Sequence, residues 1–300
     1  MASIKLWIKA FRLRTLPLAM ASIGMGSFLA AADGAFNGRI FSLAILTTIL
    51  LQILSNLSND YGDFIHGADS EDRKGPDRLV QSGKISASGM KFAMGVFVIL
   101  SLITGLLLLY MSFGLNWKIF LIFLGLGVAS IAAAILYTSG NNPYGYAGLG
   151  DISVVLFFGL TGVLGSYYLF TQEFVWTLIY PALSVGFFSA AVLNVNNIRD
   201  IESDHLAGKR SIPVRLGRQH AVWYHWFLLI TGTLCAVAYV YLNYSSIYQF
   251  IFVVTTPMLM INAIAIKNKT EADKLDPYLK QMAITTLLFV LTFGLGQLIG

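Results

Sequence analysis

Residues 40–63 read IFSLAILTTILLQILSNLSNDYGD. Eighteen uncharged residues, Ile40 to Leu57, run straight into two aspartates, Asp60 and Asp63. An apolar run of that length crosses about 30 Å of hydrocarbon as a helix. Carboxylates at its mouth are costly unless a cation compensates them. The chain continues as FIHGADSEDRKGPDRLVQ to Gln81. Residues 56–81 thus hold six of the fifteen acidic residues: Asp60, Asp63, Asp69, Glu71, Asp72 and Asp77. A membrane helix that ends in an acidic cluster is the unit from which fold and function are read.

The same kind of run recurs from end to end. Nine apolar segments fall at about 16–32, 40–58, 91–112, 118–138, 152–170, 177–196, 222–242, 247–266 and 282–299. The chain is 56% hydrophobic and 12% charged, with mean hydropathy +0.71. A soluble protein carries about a quarter charged residues. The expected fold is an all-α membrane protein of nine transmembrane helices, a single domain over residues 1–300. The basic stretch Lys5–Arg14 followed by Leu16–Ala32 has the outline of a signal peptide, but a first span behind an amphipathic segment fits a multi-span chain better. Eighteen of the 20 basic residues fall in alternate loops; only Arg39 and Lys118 do not. The positive-inside rule then puts the N-terminus in the cytoplasm and the C-terminus outside. It also accounts for the +5 net charge without nucleic acid. The lone Cys235 excludes an intrachain disulfide and a cysteine-based metal site.

A second acidic cluster lies at Asn194–Arg218, NVNNIRDIESDHLAGKRSIPVRLGR. Four spans separate it from the first. That spacing implies two related halves around a central cavity, each presenting one acidic loop at the inner face. Asn56, Asp60 and Asp63 stand at i, i+4 and i+7; Asn196, Asp200 and Asp204 stand at i, i+4 and i+8. Helices continued through these residues would line each set on one face. Hard oxygen donors in this number suit Mg²⁺, which takes one or two carboxylates and completes its shell with water and phosphate oxygens. The expected site is therefore two facing Asp clusters that clamp a diphosphate through Mg²⁺. Arg78, Lys84, Lys209 and Arg210 stand beside them to neutralise phosphate charge. Asn59 and Asn197 are either further ligands or helix caps. Solvated loop charge is the plain alternative, and the duplication and one-face spacing argue against it. An ion-coupled transporter would place charge near mid-span, where spans 2–9 have almost none.

The motifs Asn59-Asp60-x-x-Asp63 and Arg199-Asp200-x-x-x-Asp204 resemble those of the UbiA superfamily of intramembrane aromatic prenyltransferases. Further stretches are similar to its 1,4-dihydroxy-2-naphthoate polyprenyltransferases: Arg14-Thr15-Leu16-Pro17-Leu18, Tyr144–Asp151, Gly208-Lys209-Arg210 and Arg215-Leu216-Gly217-Arg218. The superfamily's third acid in the first motif has no counterpart. Gly67 stands there, and Asp69 is the nearest acid. The resemblance implies transfer of a polyprenyl chain from polyprenyl diphosphate to 1,4-dihydroxy-2-naphthoate in a bacterial cytoplasmic membrane. CO₂ and diphosphate would leave and demethylmenaquinone would form. A superfamily member acting on 4-hydroxybenzoate shares every motif-level feature. Arg14, Tyr137, Tyr146 and Asp151 are the candidates for the aromatic-acceptor side. The plain alternatives are an interface anchor for Arg14 and a tight turn for loop 139–151. His66 and His205 read as loop histidines, since no orienting carboxylate is paired with them in the sequence.

Overall fold

The computed structural model describes residues 3–67 and 79–300. Asp69 and Arg78 lie outside the described residues. Among the described residues the chain is helical, with nine helices long and apolar enough to cross a membrane. Every segment expected from the sequence carries one. An amphipathic helix α1 (Ile4–Phe11) ends at Arg12, whose φ of +49° is left-handed. α2 (Leu16–Ala32) begins the first span with Pro17 in its first turn, where the missing N–H costs nothing. The others are α3 (Gly38–Ile65), α4 (Ala87–Phe113), α5 (Trp117–Leu136), α6 (Gly150–Thr171), α7 (Ile179–Arg199), α9 (Ile212–Leu242), α10 (Ile247–Asn268) and α11 (Ala272–Ile299). A short α8 (Ile201–Leu206) follows α7.

The boundaries of α3, α9 and α11 differ from the expected segments, and the second motif is broken. α9 begins at Ile212, ten residues before its apolar segment, with a kink at Gly217. α3 runs on to Ile65, so Asp60 and Asp63 sit on the helix and not in a loop. α11 begins ten residues before the apolar segment, at Ala272, and carries Pro277 within it. Its charged first turns conceal the start in a hydropathy reading. The second motif does not share one continuous face. α7 ends at Arg199, Asp200 caps it, and Asp204 belongs to α8.

α7 is the hub. Its small residues Ala182, Ser184, Gly186, Ser189, Ala190 and Ala191 are buried. Small residues let helix backbones approach where lipid gives no hydrophobic drive. Ser184 Oγ donates to the Gly232 carbonyl of α9 at 2.7 Å. Against its other side lies α6, π-helical from Val155 to Leu164. A Cβ on Gly159 would stand 2.7 Å from the Ala182 carbonyl oxygen and 2.9 Å from Gly186 Cα. Gly159→Ala is therefore expected to push α6 off α7 and to destabilise the fold by about 1–3 kcal/mol, the usual cost of overpacking. A thermal melt in detergent checks this; an unchanged Tm would mean that the two helices are not locked together here. α5 is the opposite case, with no buried residue along its length.

The loops that follow α3, α5 and α7 converge at one pole. Thr138 Oγ1 donates to the Ser58 carbonyl at 3.0 Å. Arg210 N–H donates to the Tyr146 carbonyl at 2.9 Å, and Arg215 to the Ala147 carbonyl at 2.6 Å. Gly148, with φ of +80°, lets this last turn in: a Cβ there would strike the Arg210 carbonyl. At the far pole Tyr167 donates to Asp33 at 2.6 Å.

Candidate active site

A cavity of about 500 Å³ runs from the converged loops into the bundle. Its polar mouth is lined by Asp63, Asp200, Asp204, Lys209, Asn56, Asn59, Asn196 and Asn197. Its deeper wall is apolar and includes Leu106, Phe123, Leu126, Ile131, Phe157 and Phe158.

The two acidic motifs meet across one ammonium. Lys209 Nζ lies 3.0 Å from Asp63 Oδ1 and 3.6 Å from Asp204 Oδ1. Asp63 also accepts from the Tyr146 hydroxyl at 2.8 Å, and Lys209 stands 4.8 Å from the centre of the Tyr146 ring. Asp200 is held differently. Arg199 donates to both of its carboxylate oxygens at 2.8 Å. The same guanidinium reaches Asp276 of α11 at 2.6 Å and Asn196 Oδ1 at 2.8 Å. Asp276 in turn accepts from Arg14 at 3.1 Å. Charges of alternating sign thus run from Asp200 through Arg199 and Asp276 to Arg14. Paired burial is what makes such charges tolerable.

Asp60 faces elsewhere. It is buried, and its Oδ2 accepts from the Leu79 N–H at 3.2 Å, tying α3 to the chain just before α4. The Asn56 amide donates to the Phe11 carbonyl and to Thr15 Oγ1, at 2.8 and 2.9 Å, fixing α1 and α2 against α3. Asn59 Oδ1 accepts from Thr138. Lys84 and Arg210 are exposed and do not line the cavity. Arg14, Tyr137, Tyr146 and Asp151 all line it. Asp151 accepts from the Tyr224 hydroxyl at 3.2 Å. Burial first, then the charges of Asp151 and Asp204, hold the Tyr137 phenol far above its ordinary pKa. Tyr144 is raised by burial as well. Both phenols stay neutral donors at working pH. Arg199 and Asp276 were not singled out as site residues from the sequence. Arg199 lies inside the second motif, whereas Asp276 belongs to no motif and gains its partner only where α11 packs against α7.

The donors fit Mg²⁺. They are carboxylate and amide oxygens without sulfur or imidazole, gathered in one cavity. Among the described residues no three acidic, His or Cys side chains form a ready-made metal cluster. That suits an ion which takes one or two carboxylates and leaves positions for water and phosphate.

A 1,4-dihydroxy-2-naphthoate octaprenyltransferase of Haemophilus influenzae is 45% identical to this chain, covering 99% of it and 97% of that protein. Its counterpart in Escherichia coli is 42% identical over 97% of this chain and 96% of its own length. Among solved structures, a UbiA homolog from Archaeoglobus fulgidus bound to GPP and Mg²⁺ superposes with a TM-score of 0.67 at 19% identity, covering 98% of this chain and 99% of that one. A UbiA homolog from Aeropyrum pernix gives 0.69 at 15%, covering 96% and 98%. Both show the same fold. With the family profile matching residues 18–293, the chain belongs to the UbiA prenyltransferase family.

Proposed function

We propose that this protein, one catalytic domain over residues 1–300, transfers a polyprenyl group from polyprenyl diphosphate to 1,4-dihydroxy-2-naphthoate. CO₂ and diphosphate leave, and demethylmenaquinone forms in its reduced form. The observation that carries this reading is Lys209, whose ammonium spans Asp63 and Asp204 where a polar mouth opens onto an apolar cavity. The names of the curated relatives supply the acceptor.

The diphosphate head is placed at that mouth and the prenyl chain along Phe157, Phe158 and the α5 wall. α5 packs loosely, so a long tail can reach lipid. Mg²⁺ bound at Asp63, Asp200 and Asp204, with Asn56, Asn196, Asn59 and Asn197 as further oxygen donors and Asp60 as support behind them, would withdraw charge from the leaving diphosphate. Lys209 swings from Asp63 toward a phosphate oxygen, with Lys84, Arg210 and Arg78 as outer cations. The allylic C–O bond then breaks, and its electron pair leaves with the diphosphate. The faces of Tyr137, Phe157 and Phe158 stabilise the allylic charge. The converged loops keep water away. Arg14 receives the acceptor carboxylate and Asp151 accepts a hydroxyl hydrogen from the electron-rich ring. The ring carbon bearing the carboxylate attacks, and the C–C bond to CO₂ breaks. The acidic pole faces the cytoplasm of a bacterial inner membrane, in keeping with the basic loops.

The test supplies purified protein with Mg²⁺, an all-trans polyprenyl diphosphate, carboxyl-labelled 1,4-dihydroxy-2-naphthoate and 4-hydroxybenzoate. Labelled CO₂ with a prenylated naphthoquinone is expected, lost in EDTA and regained with Mg²⁺. Prenylated 4-hydroxybenzoate with its carboxylate intact would overturn the acceptor. Turnover that survives EDTA would overturn the metal.

A further inference from the structure

A second concavity of about 540 Å³ opens between the end of α10 and the start of α11. It shares no lining residue with the central cavity. It lies at the same pole, since Arg218 donates to the carbonyls of Ile266 and Lys269 beside it. Its floor is apolar: Ile261 and Ile264 line it and are 56% and 46% exposed. Its rim carries two lysines and one acid, Lys269, Lys274 and Glu271. Lys269 lies 5.5 Å over the Tyr278 ring, and among the described residues it makes no ion pair. Lys274 pairs at 2.6 Å with Glu271, but both side chains are more than half exposed. Such a pair is weak and exchanges readily for a better anion.

From Lys269 back to Ile261 is eight residues of helix, or about 12 Å. That is the step from the phosphate level of a bilayer into its hydrocarbon. A headgroup that met Lys269 and Lys274 would lay its acyl chain along Ile264 and Ile261. Two lysines facing one phosphate favour a net negative lipid. A choline head would bring its own ammonium against them. Thr270 and Asn268 stand in the same wall, with hydroxyl and amide groups suited to a glycerol head. We propose that this groove binds an anionic glycerophospholipid, its phosphate between Lys269 and Lys274.

The full chain, purified in neutral detergent, is melted with added phosphatidylglycerol, with phosphatidylcholine, or with glycerol phosphate, which has no acyl chain. Phosphatidylglycerol at about 100 times its Kd should raise Tm by roughly 5 °C, and high salt should weaken the effect. Neither other compound should reproduce it. K269Q/K274Q should lose more than half of the rise while its Tm without lipid stays unchanged. Ile264→Trp, which fills the floor and keeps both lysines, should reduce the rise as well. Equal shifts from the two lipids would overturn the charge requirement. A shift from glycerol phosphate alone would make this a soluble-phosphate site and overturn the lipid. A full rise retained in K269Q/K274Q would place the lipid elsewhere.

Discussion

Asp63→Ala should lower turnover by about 10³-fold, the scale on which one preorganised electrostatic group acts at a reacting centre. Asp63 is the first-motif acid that lines the cavity, and it holds the Lys209 ammonium and the Tyr146 hydroxyl together. Its removal takes away an oxygen donor for Mg²⁺ and frees Lys209 to sit on Asp204 alone. Both changes weaken the grip on the leaving diphosphate. The fold should survive, because α3 keeps its packing at Leu57 and its Asp60 tie to Leu79. Asp60→Ala is different in kind, since its loss should loosen the chain around Leu79 and lower Tm as well as activity. Steady-state rates and melts of the two variants separate these effects. Near-native turnover in Asp63→Ala would remove the first acidic cluster from the mechanism.

How much of this could be read beforehand depended on the range of the interaction. Each span announces itself locally, as Ile40–Leu57 does, because crossing hydrocarbon demands an unbroken apolar run. α11 escaped in part. Its first turns carry Asp273, Lys274, Asp276 and Pro277, which a hydropathy window scores as loop. The motif spacing placed Asp63, Asp204 and Lys209 in one reading, and the structure joins them. Spacing also grouped Asp60 with Asp63, and a three-residue step does leave them neighbours on one side of α3. The Leu79 N–H, which no helix pattern announces, is what engages Asp60. The break at Asp200 was hidden because Asn196, Asp200 and Asp204 follow one another at four-residue steps, and i,i+4 neighbours share a face on a continued helix. The link from Arg199 to Asp276 spans 77 positions. No local pattern encodes a contact made only when α7 and α11 pack.

That link carries the last expected result. Arg199→Leu should destabilise the protein by about 3–5 kcal/mol, the usual cost of leaving a buried charge without its partner. The Arg199 side chain is 1% exposed and that of Asp200 3%, so water cannot take over the lost hydrogen bonds. The loss should be largest in EDTA. A cation that binds the folded site and not the unfolded chain stabilises in proportion to the logarithm of its concentration over Kd. With the guanidinium gone, Mg²⁺ would offer Asp200 a counter-charge, so added Mg²⁺ should recover part of the lost Tm. Asp276→Asn should cost less, about 1 kcal/mol, because Asp276 is 41% exposed and exposed partners contribute little. Once Arg199 is leucine, the Asp276 substitution should cost less still, since only the part-exposed Arg14 pair remains to be lost, and the double mutant should be non-additive. Melts of the four proteins with and without Mg²⁺ measure this directly. Equal losses in EDTA and Mg²⁺ would mean that Asp200 does not face a metal. Additive losses would mean that the charges act separately and not as a chain from Asp200 to Arg14.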